Sequence, residues 1–278
     1  MFARLITSAA AALAVGLAPA ADESPTADES PSADKPRIIK LRETEDAYAQ
    51  EPLPALRAAA AYVCLGGFGD EVGGIVAHEA MRLRRTTGAP VAYYHWDGDE
   101  KLDREAGLRL ITDDLLRFAK LNPQADLIII GHSMGGSSGL MICRKLLDAR
   151  RANADGQGAP RGRICLITLD PVDASVSKER PEGLDWWGNA YVENSQSMRD
   201  FIPEMGGRWR HCDGADLNIC FDGRSCDEYG RAYIHDTADA QLYSRGSAKH
   251  SLWEALRAFL RRGSAADGRE KGGAAEQP

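Results

Sequence analysis

A serine between two glycines carries the clearest chemistry in this sequence. The run Gly131-His132-Ser133-Met134-Gly135 follows residues 126–130, which are apolar after Asp126, and precedes a segment with helical spacing. This order predicts a strand, a tight turn with Ser133 at its apex, and a helix. Such a turn lifts the hydroxyl clear of the sheet, and the helix N-terminus favours the negative charge that develops in acyl transfer. The pattern is typical of a nucleophile elbow, with a plain tight turn as the alternative.

A serine nucleophile requires a base within hydrogen-bond reach, and the base requires a carboxylate that orients it. The sequence has six histidines. We expect His250 to be the base because it stands in a loop directly before the last amphipathic helix. His235, in irregular sequence, is the second choice. The remaining four are expected to be structural or to lie in irregular sequence: His78, His95, His132 and His211.

Asp170 is the expected orienting carboxylate. It closes the apolar run 164–169, and Pro171 after it rigidifies the turn. A buried aspartate at a strand end would fix the tautomer of the imidazole. Because aspartates also end strands simply by favouring turns, three rivals remain: Asp173, Glu193 and Asp236.

The segments that must position these residues alternate between two periodicities. Apolar or aromatic runs predict strands at residues 60–65, 90–96, 126–130 and 164–169. Apolar residues at three- and four-residue steps predict helices at residues 71–85, 101–121, 134–148 and 252–262. Two weaker segments, 189–193 and 217–221, are candidates for late strands.

This alternation predicts the α/β class, with a mostly parallel central sheet and helices on both faces. Strands that are apolar on both sides belong in such a sheet, because helices cover both of their faces. Active sites of open sheets lie beyond the carboxyl ends of the strands. Gly66-Gly67, Ser133 and Asp170 all follow predicted strands, so we expect them to meet at one edge of the sheet.

The order of Ser133, Asp170 and His250 along the chain resembles that of the α/β-hydrolase superfamily, and most closely its lipase and esterase branch. The run from Gly131 to Gly136 is similar to the elbow of many bacterial lipases. Residues 168–172, Thr-Leu-Asp-Pro-Val, look like the segment that carries the acid in some lipases. The resemblance covers roughly residues 60–260 and is specific for the superfamily rather than for a substrate.

The resemblance also implies an oxyanion hole. In the superfamily one backbone N–H comes from the residue after the nucleophile, here Met134, and another from the loop after an early strand. That loop corresponds to residues 65–70, in which Gly67 or Phe68 would be the second donor. Many relatives begin this loop with His-Gly, whereas this chain has Leu-Gly-Gly, which leaves the second donor open.

Together these residues predict a secreted or periplasmic serine hydrolase that cleaves carboxylic esters through an acyl-enzyme on Ser133 and requires no metal or organic cofactor. A thioesterase, amidase or acyltransferase would use the same three residues, and a non-catalytic binding protein of the same fold is the alternative from another class. Residues 172–230 are expected to form an irregular, cap-like insertion without a long apolar helix. A small or moderately sized ester is therefore the expected partner.

The N-terminal segment of the sequence predicts export. Residues 1–20 have the pattern of a signal peptide. Residues 21–32 are two copies of an acidic, proline-containing hexapeptide, and residues 21–36 are therefore expected to form a disordered linker. The domain would cover residues 37–262, and residues 263–278 would form a disordered tail. No other run is long and apolar enough to span a membrane.

The charge of the chain bears on its partners. The formal net charge of −7 argues against a nucleic-acid partner. The oligomeric state is left open.

Six cysteines in an exported chain make a disulfide plausible. Cys64, Cys143 and Cys165 fall in apolar segments and are expected to be buried thiols. The other three lie in a polar, glycine-rich stretch, and we expect one disulfide among Cys212, Cys220 and Cys226 without assigning the pair. A zinc site that combines these thiols with His211 fits no usual ligand spacing.

Overall fold

The computed structural model describes residues 48–96, 104–153 and 158–271. The expected signal peptide at residues 1–20 and the expected linker at residues 21–36 lie outside the described residues. Residues 272–278 of the expected tail also lie outside them.

Strands and helices alternate through most of the described chain. The strands are β1 (Ala60–Phe68), β2 (Val91–Trp96), β3 (Asp126–His132), β4 (Ile164–Leu169), β5 (Trp186–Glu193) and β6 (Leu217–Asp222). The helices are α1 (Asp70–Gly73), α2 (Ile75–Thr87), α3 (Arg104–Leu121), α4 (Met134–Ala152), α5 (Phe201–Met205), α6 (Ala238–Tyr243) and α7 (Leu252–Lys271), with a single 3-10 turn at Met198–Asp200.

The six strands form one sheet in the order β2-β1-β3-β4-β5-β6, and every neighbouring pair is parallel. The register places Leu65 beside Gly131 and His132 beside Leu169. The carboxyl ends of β1, β3 and β4 therefore lie next to one another at the same edge. The α/β class that the sequence predicts is confirmed.

Each face of the sheet is covered by its own set of helices. In β3, Leu127 and Ile129 pack into a core with residues of α3 and α4, whereas Ile128 and Ile130 pack into a second core with residues of α2, α6 and α7. All four of these side chains are buried. Because both faces are buried, the strand is a continuous apolar run rather than an alternating one.

The stretch at residues 172–230 does not form the irregular cap expected of it, because it contributes β5 and β6 to the central sheet. These two strands contain the segments that the sequence gives as candidates for late strands, 189–193 and 217–221. Polar residues inside these strands weaken the sequence pattern. The side chain of Asn189 is buried in β5, where it accepts a hydrogen bond from Thr168 Oγ1 and donates one to Asn218 Oδ1. The polar groups are paired across three adjacent strands, which makes their burial tolerable.

Two further expectations about this half of the chain are corrected. The last helix does not end at residue 262 but continues to Lys271, since Ala, Arg, Glu and Lys in this stretch are good helix formers. The expected disulfide is not formed either, because all six cysteines are free thiols. Cys212 is buried with its Sγ donating to the Arg210 carbonyl, whereas Cys226 is exposed.

None of the described helices is long and apolar enough to cross a membrane.

We expect Gly135→Ala to destabilise the fold, because a Cβ at this position would collide with the Leu65 carbonyl in β1. The cost should be roughly 1–3 kcal/mol in the free energy of unfolding, measured by denaturant titration. Gly107→Ala is the control, since nothing lies within 4 Å of a Cβ there. That change should be neutral or slightly stabilising in helix α3. Equal effects of the two changes would contradict the packing described for the elbow.

Candidate active site

Ser133 stands at the turn between β3 and α4 in the conformation expected of the strand–turn–helix motif. Its φ of 57° and ψ of −129° lie in a region that L residues rarely adopt. The Ser133 N–H donates to the Leu169 carbonyl at 3.0 Å, and the Val172 N–H donates to the Ser133 carbonyl at 3.1 Å. The strained turn is thus fixed to the carboxyl end of β4.

The backbone of β1 passes directly against this serine. A Cβ placed on Gly67 would lie 2.6 Å from Ser133 Cβ and 3.0 Å from Ser133 Oγ, so a side chain at this position would displace the serine. A Cβ on Gly131 would collide with the backbone of Gly135 on the other side of the turn. Glycine at these two positions is what permits β1, β3 and α4 to meet at the serine.

Asp170 follows β4 and is fully buried. Its Oδ2 lies 2.7 Å from His235 Nδ1, and its Oδ1 accepts a hydrogen bond from the Val192 N–H at 3.2 Å. A carboxylate with these contacts holds Nδ1 as the protonated nitrogen, which leaves Nε2 of the same ring with its lone pair. The structure therefore brings the predicted acid together with a histidine.

The backbone of His235 is anchored on both sides. Its N–H donates to Asp200 Oδ1 at 3.1 Å, while its carbonyl accepts hydrogen bonds from His132 Nε2 at 2.8 Å and Gln241 Nε2 at 3.2 Å. The imidazole rings of His132 and His235 also pack against each other, with 4.5 Å between their centroids. These contacts fix the position of the His235 ring, although the residue lies in a loop.

His132 is a buried, neutral neighbour of this ring. Burial, together with the proximity of His235, lowers the pKa of His132 from 6.5 to about 4. Near neutral pH the ring is therefore uncharged, and its Nε2–H is available to donate to the His235 carbonyl. His132 therefore supports the loop that carries His235 through its contact with the His235 carbonyl.

A buried arginine completes the cluster. Arg208 Nη2 lies 2.9 Å from Asp170 Oδ2 and also pairs with Asp200, and Nη1 lies 3.1 Å from Glu204 Oε1. Burial alone lowers the pKa of Arg208, but the charge of Asp170 and the contact with Asp200 outweigh it and raise the pKa above its usual value. The guanidinium is permanently charged and neutralises part of the buried negative charge.

Ser133 and His235 both line a cavity of about 400 Å³ at the carboxyl edge of the sheet. Gly67 and Phe68 form another part of its wall, at the end of β1. An ion pair also borders the cavity, with Arg199 Nη1 2.6 Å from Asp236 Oδ2. The volume is within the range of small-molecule sites.

The structure does not bring His250 to this site, so the expectation that it contacts Asp170 is wrong. The His250 side chain is 58% exposed, and its Nδ1 lies 3.7 Å from Glu254 Oε2. The reason lies in a helix that the periodicity does not reveal. Helix α6 has only six residues, and His235 stands just before it, whereas α7, which follows His250, packs farther along the sheet against β5.

The rival carboxylates are occupied elsewhere. Asp173 accepts hydrogen bonds from Ser175, Glu193 accepts one from the Cys220 thiol, and Asp236 pairs with Arg199. Asp200 and Arg208 are site residues that the sequence reading misses, because they lie in the stretch interpreted as a cap. In the described parts of the chain, no group of three or more His, Cys, Asp or Glu side chains is arranged to hold a metal ion.

Comparison with models of known protein families gives no match, and comparison with curated proteins gives none either. Among solved structures, one match is a "putative cell surface hydrolase" from Lactobacillus plantarum WCFS1. The alignment covers 65% of this chain and 88% of that chain, with 12% sequence identity and a TM-score of 0.35. A similarity this low does not bear on the reaction, for which the geometry of the site is the evidence.

The depressed pKa of His132 predicts a loss of stability in acid. Because the folded-state pKa of about 4 lies below the unfolded value of 6.5, the unfolded chain binds the extra proton first as the pH falls through this window. The titration of His132 should therefore lower the free energy of unfolding of the wild type by roughly 2 kcal/mol between about pH 7 and about pH 5.

Denaturant titrations of His132→Gln at the two pH values should show a correspondingly smaller decrease than the wild type. Gln retains a donor that can reach the His235 carbonyl. His250→Gln, at an exposed position, is the control and should keep the wild-type decrease. An unchanged decrease in His132→Gln would show that this ring is not held neutral by burial.

Proposed function

We propose that this protein is a serine hydrolase of carboxylic esters, with Ser133 as the nucleophile, His235 as the general base and Asp170 as the orienting acid. The observation that carries the proposal is the 2.7 Å contact between His235 Nδ1 and the buried Asp170 carboxylate. It fixes a basic Nε2 in a histidine that lines the same cavity as the strained Ser133. His235 takes the role of base that the sequence assigns to His250.

In the first half of the reaction, Ser133 Oγ attacks the ester carbonyl carbon as its proton passes to His235 Nε2. The oxygen of the tetrahedral intermediate gains a negative charge, which the Met134 N–H and an N–H from Gly67 or Phe68 would stabilise. The position of Gly67 against Ser133 supports this assignment. When the intermediate collapses, His235 gives its proton to the departing alcohol and the acyl group remains on Ser133.

In the second half, His235 Nε2 accepts a proton from a water molecule that attacks the acyl-enzyme. The new tetrahedral intermediate releases the carboxylic acid, and the proton on His235 returns to Ser133 Oγ. Asp170 stays ionised throughout and stabilises the transient imidazolium. All proton transfers therefore pass through one ring nitrogen, and the chemistry requires no metal or organic cofactor.

The cavity favours a small or moderately sized ester. A volume of about 400 Å³ is near the lower end of the usual range for small-molecule sites. The ion pair between Arg199 and Asp236 adds polar groups to the border of the cavity. Thioesters and amides would follow the same sequence of steps. The signal-like residues 1–20 suggest that the enzyme acts outside the cytoplasm.

Ser133→Ala should abolish ester hydrolysis while leaving the fold intact, because the nucleophile would be lost. The expected decrease in kcat is on the order of 10⁴- to 10⁶-fold for a p-nitrophenyl ester of short chain length. Ser137→Ala is the matched control in the same segment, since the Ser137 hydroxyl donates to the Met134 carbonyl within helix α4. Near wild-type turnover by well-folded Ser133→Ala would refute the mechanism.

A comparison of two histidine variants tests the choice of base. His235→Ala should lower kcat nearly as much as Ser133→Ala, because the two side chains act as one unit. His250→Ala should keep most of the activity, since that side chain is exposed and lies beside Glu254. Steady-state rates on one ester suffice for the comparison. The opposite result would return the role of base to His250 and leave the reaction class standing.

A further inference from the structure

Arg208 contacts the proposed triad at Asp170 but takes no part in the proposed reaction steps. Its side chain is only 2% exposed, and burying a guanidinium is costly unless its charge is compensated. The backbone on either side of it is paired with the chain that follows Asp170. The backbones of Arg208 and Val172 form an isolated antiparallel β-bridge, and the Trp209 N–H donates to the Pro171 carbonyl at 2.7 Å. The guanidinium is thereby fixed beside Asp170.

Two buried carboxylates meet at this guanidinium, and both contact His235. Asp170 Oδ2 contacts the His235 ring, and Asp200 Oδ1 accepts the His235 backbone N–H. Arg208 Nη2 pairs with the same two oxygens. The three charged side chains therefore carry one net negative charge beside the imidazole, whereas the two carboxylates without the arginine would carry two.

We propose that Arg208 is a positioning residue for His235, whose guanidinium offsets the charge of Asp170 and Asp200 and so limits how strongly these two carboxylates favour the protonated imidazole. The inference rests on the proposed function, in which only the unprotonated ring accepts the proton of Ser133. It adds a role that the triad does not contain. Asp170 favours the imidazolium, and Arg208 limits how strongly it does so.

The other charged or titratable groups around His235 do not replace this arginine. The neighbouring ring of His132 is neutral, because burial lowers the pKa of that histidine to about 4. Asp236 is paired with Arg199. Asp70, which also lines the cavity, accepts hydrogen bonds from Tyr93 Oη and the Val76 N–H. Glu204 also contacts Arg208, but its side chain is half exposed, so water screens its charge. Arg208 is thus the cation in direct contact with the carboxylate that holds the ring.

The test measures the titration midpoint of the His235 ring by NMR, with His235→Gln used to assign its signals. Arg208→Met should raise this midpoint by about one to two pH units, because an uncompensated carboxylate stabilises the imidazolium. Asp200→Asn should lower it, since one negative charge is removed and Arg208 remains. Arg208→Met combined with Asp200→Asn restores the net charge and should return the midpoint toward the wild-type value.

One conservative variant and one control separate the effect of the charge from that of the structure. Arg208→Lys keeps the positive charge and should hold the midpoint close to that of the wild type. Arg210→Met is the matched control, because Arg210 contacts Glu204 at 3.3 Å from an exposed position and is not among the residues that pair with Asp170. If Arg208→Met does not fold, the opposite shift in Asp200→Asn and the retained midpoint in Arg208→Lys still decide the question.

The acid limb of the kcat/KM profile should move with the midpoint in each variant. An unchanged midpoint in folded Arg208→Met or in Asp200→Asn would overturn the proposal and reduce Arg208 to a structural contact. The NMR titration does not depend on turnover. A wild-type protein without Ser133-dependent hydrolysis would therefore refute the proposed function alone, and the titration would still decide the role of Arg208.

Discussion

The contact between Asp170 and His235 is the interaction on which the arrangement of the site depends. A fully buried carboxylate is stable only if its charge is compensated and its oxygens are hydrogen-bonded. Here the donors come from the His235 ring, the Arg208 guanidinium and the Val192 backbone. These three residues belong to different segments after β4. Segments from the second half of the chain therefore pack around the carboxyl end of β4, where they supply the hydrogen bonds and the positive charge that the buried Asp170 requires.

The parallel sheet supplies the other requirement, which is a shared edge. Because β1, β3 and β4 are parallel neighbours, Gly67, Ser133 and Asp170 emerge side by side. Ser133 and Asp170 both adopt positive φ angles, 57° and 42°, a conformation that is costly for residues other than glycine. The hydrogen bonds from Ser133 to Leu169 and from Asp170 to Ala190 fix these turns to the sheet. The strained backbone thus falls at two residues of the proposed triad.

Sequence alone predicts the part of this design that depends on local patterns. The β3–α4 elbow, the strand before Asp170 and the apolar strands of a parallel sheet all follow from periodicity and turn residues over short windows. The histidine does not, because its position depends on packing between distant segments. Helix α6 is too short to give a periodic signal, and the buried Asn189 weakens the apolar pattern of β5, so the sequence marks β5 and β6 only as candidate strands at residues 189–193 and 217–221. The contribution of Asp200 and Arg208 to the site emerges only from the tertiary contacts.

Whether Ser133 is an activated nucleophile can be measured by locating a fluorophosphonate adduct. The folded protein would be treated with the probe, digested, and the modified residue identified by peptide mass spectrometry. Modification is expected at Ser133 in the folded protein and not in the denatured chain, because only the fold brings His235, held by Asp170, into the same cavity as Ser133. A folded protein that is not modified, or is modified at another residue, would contradict it.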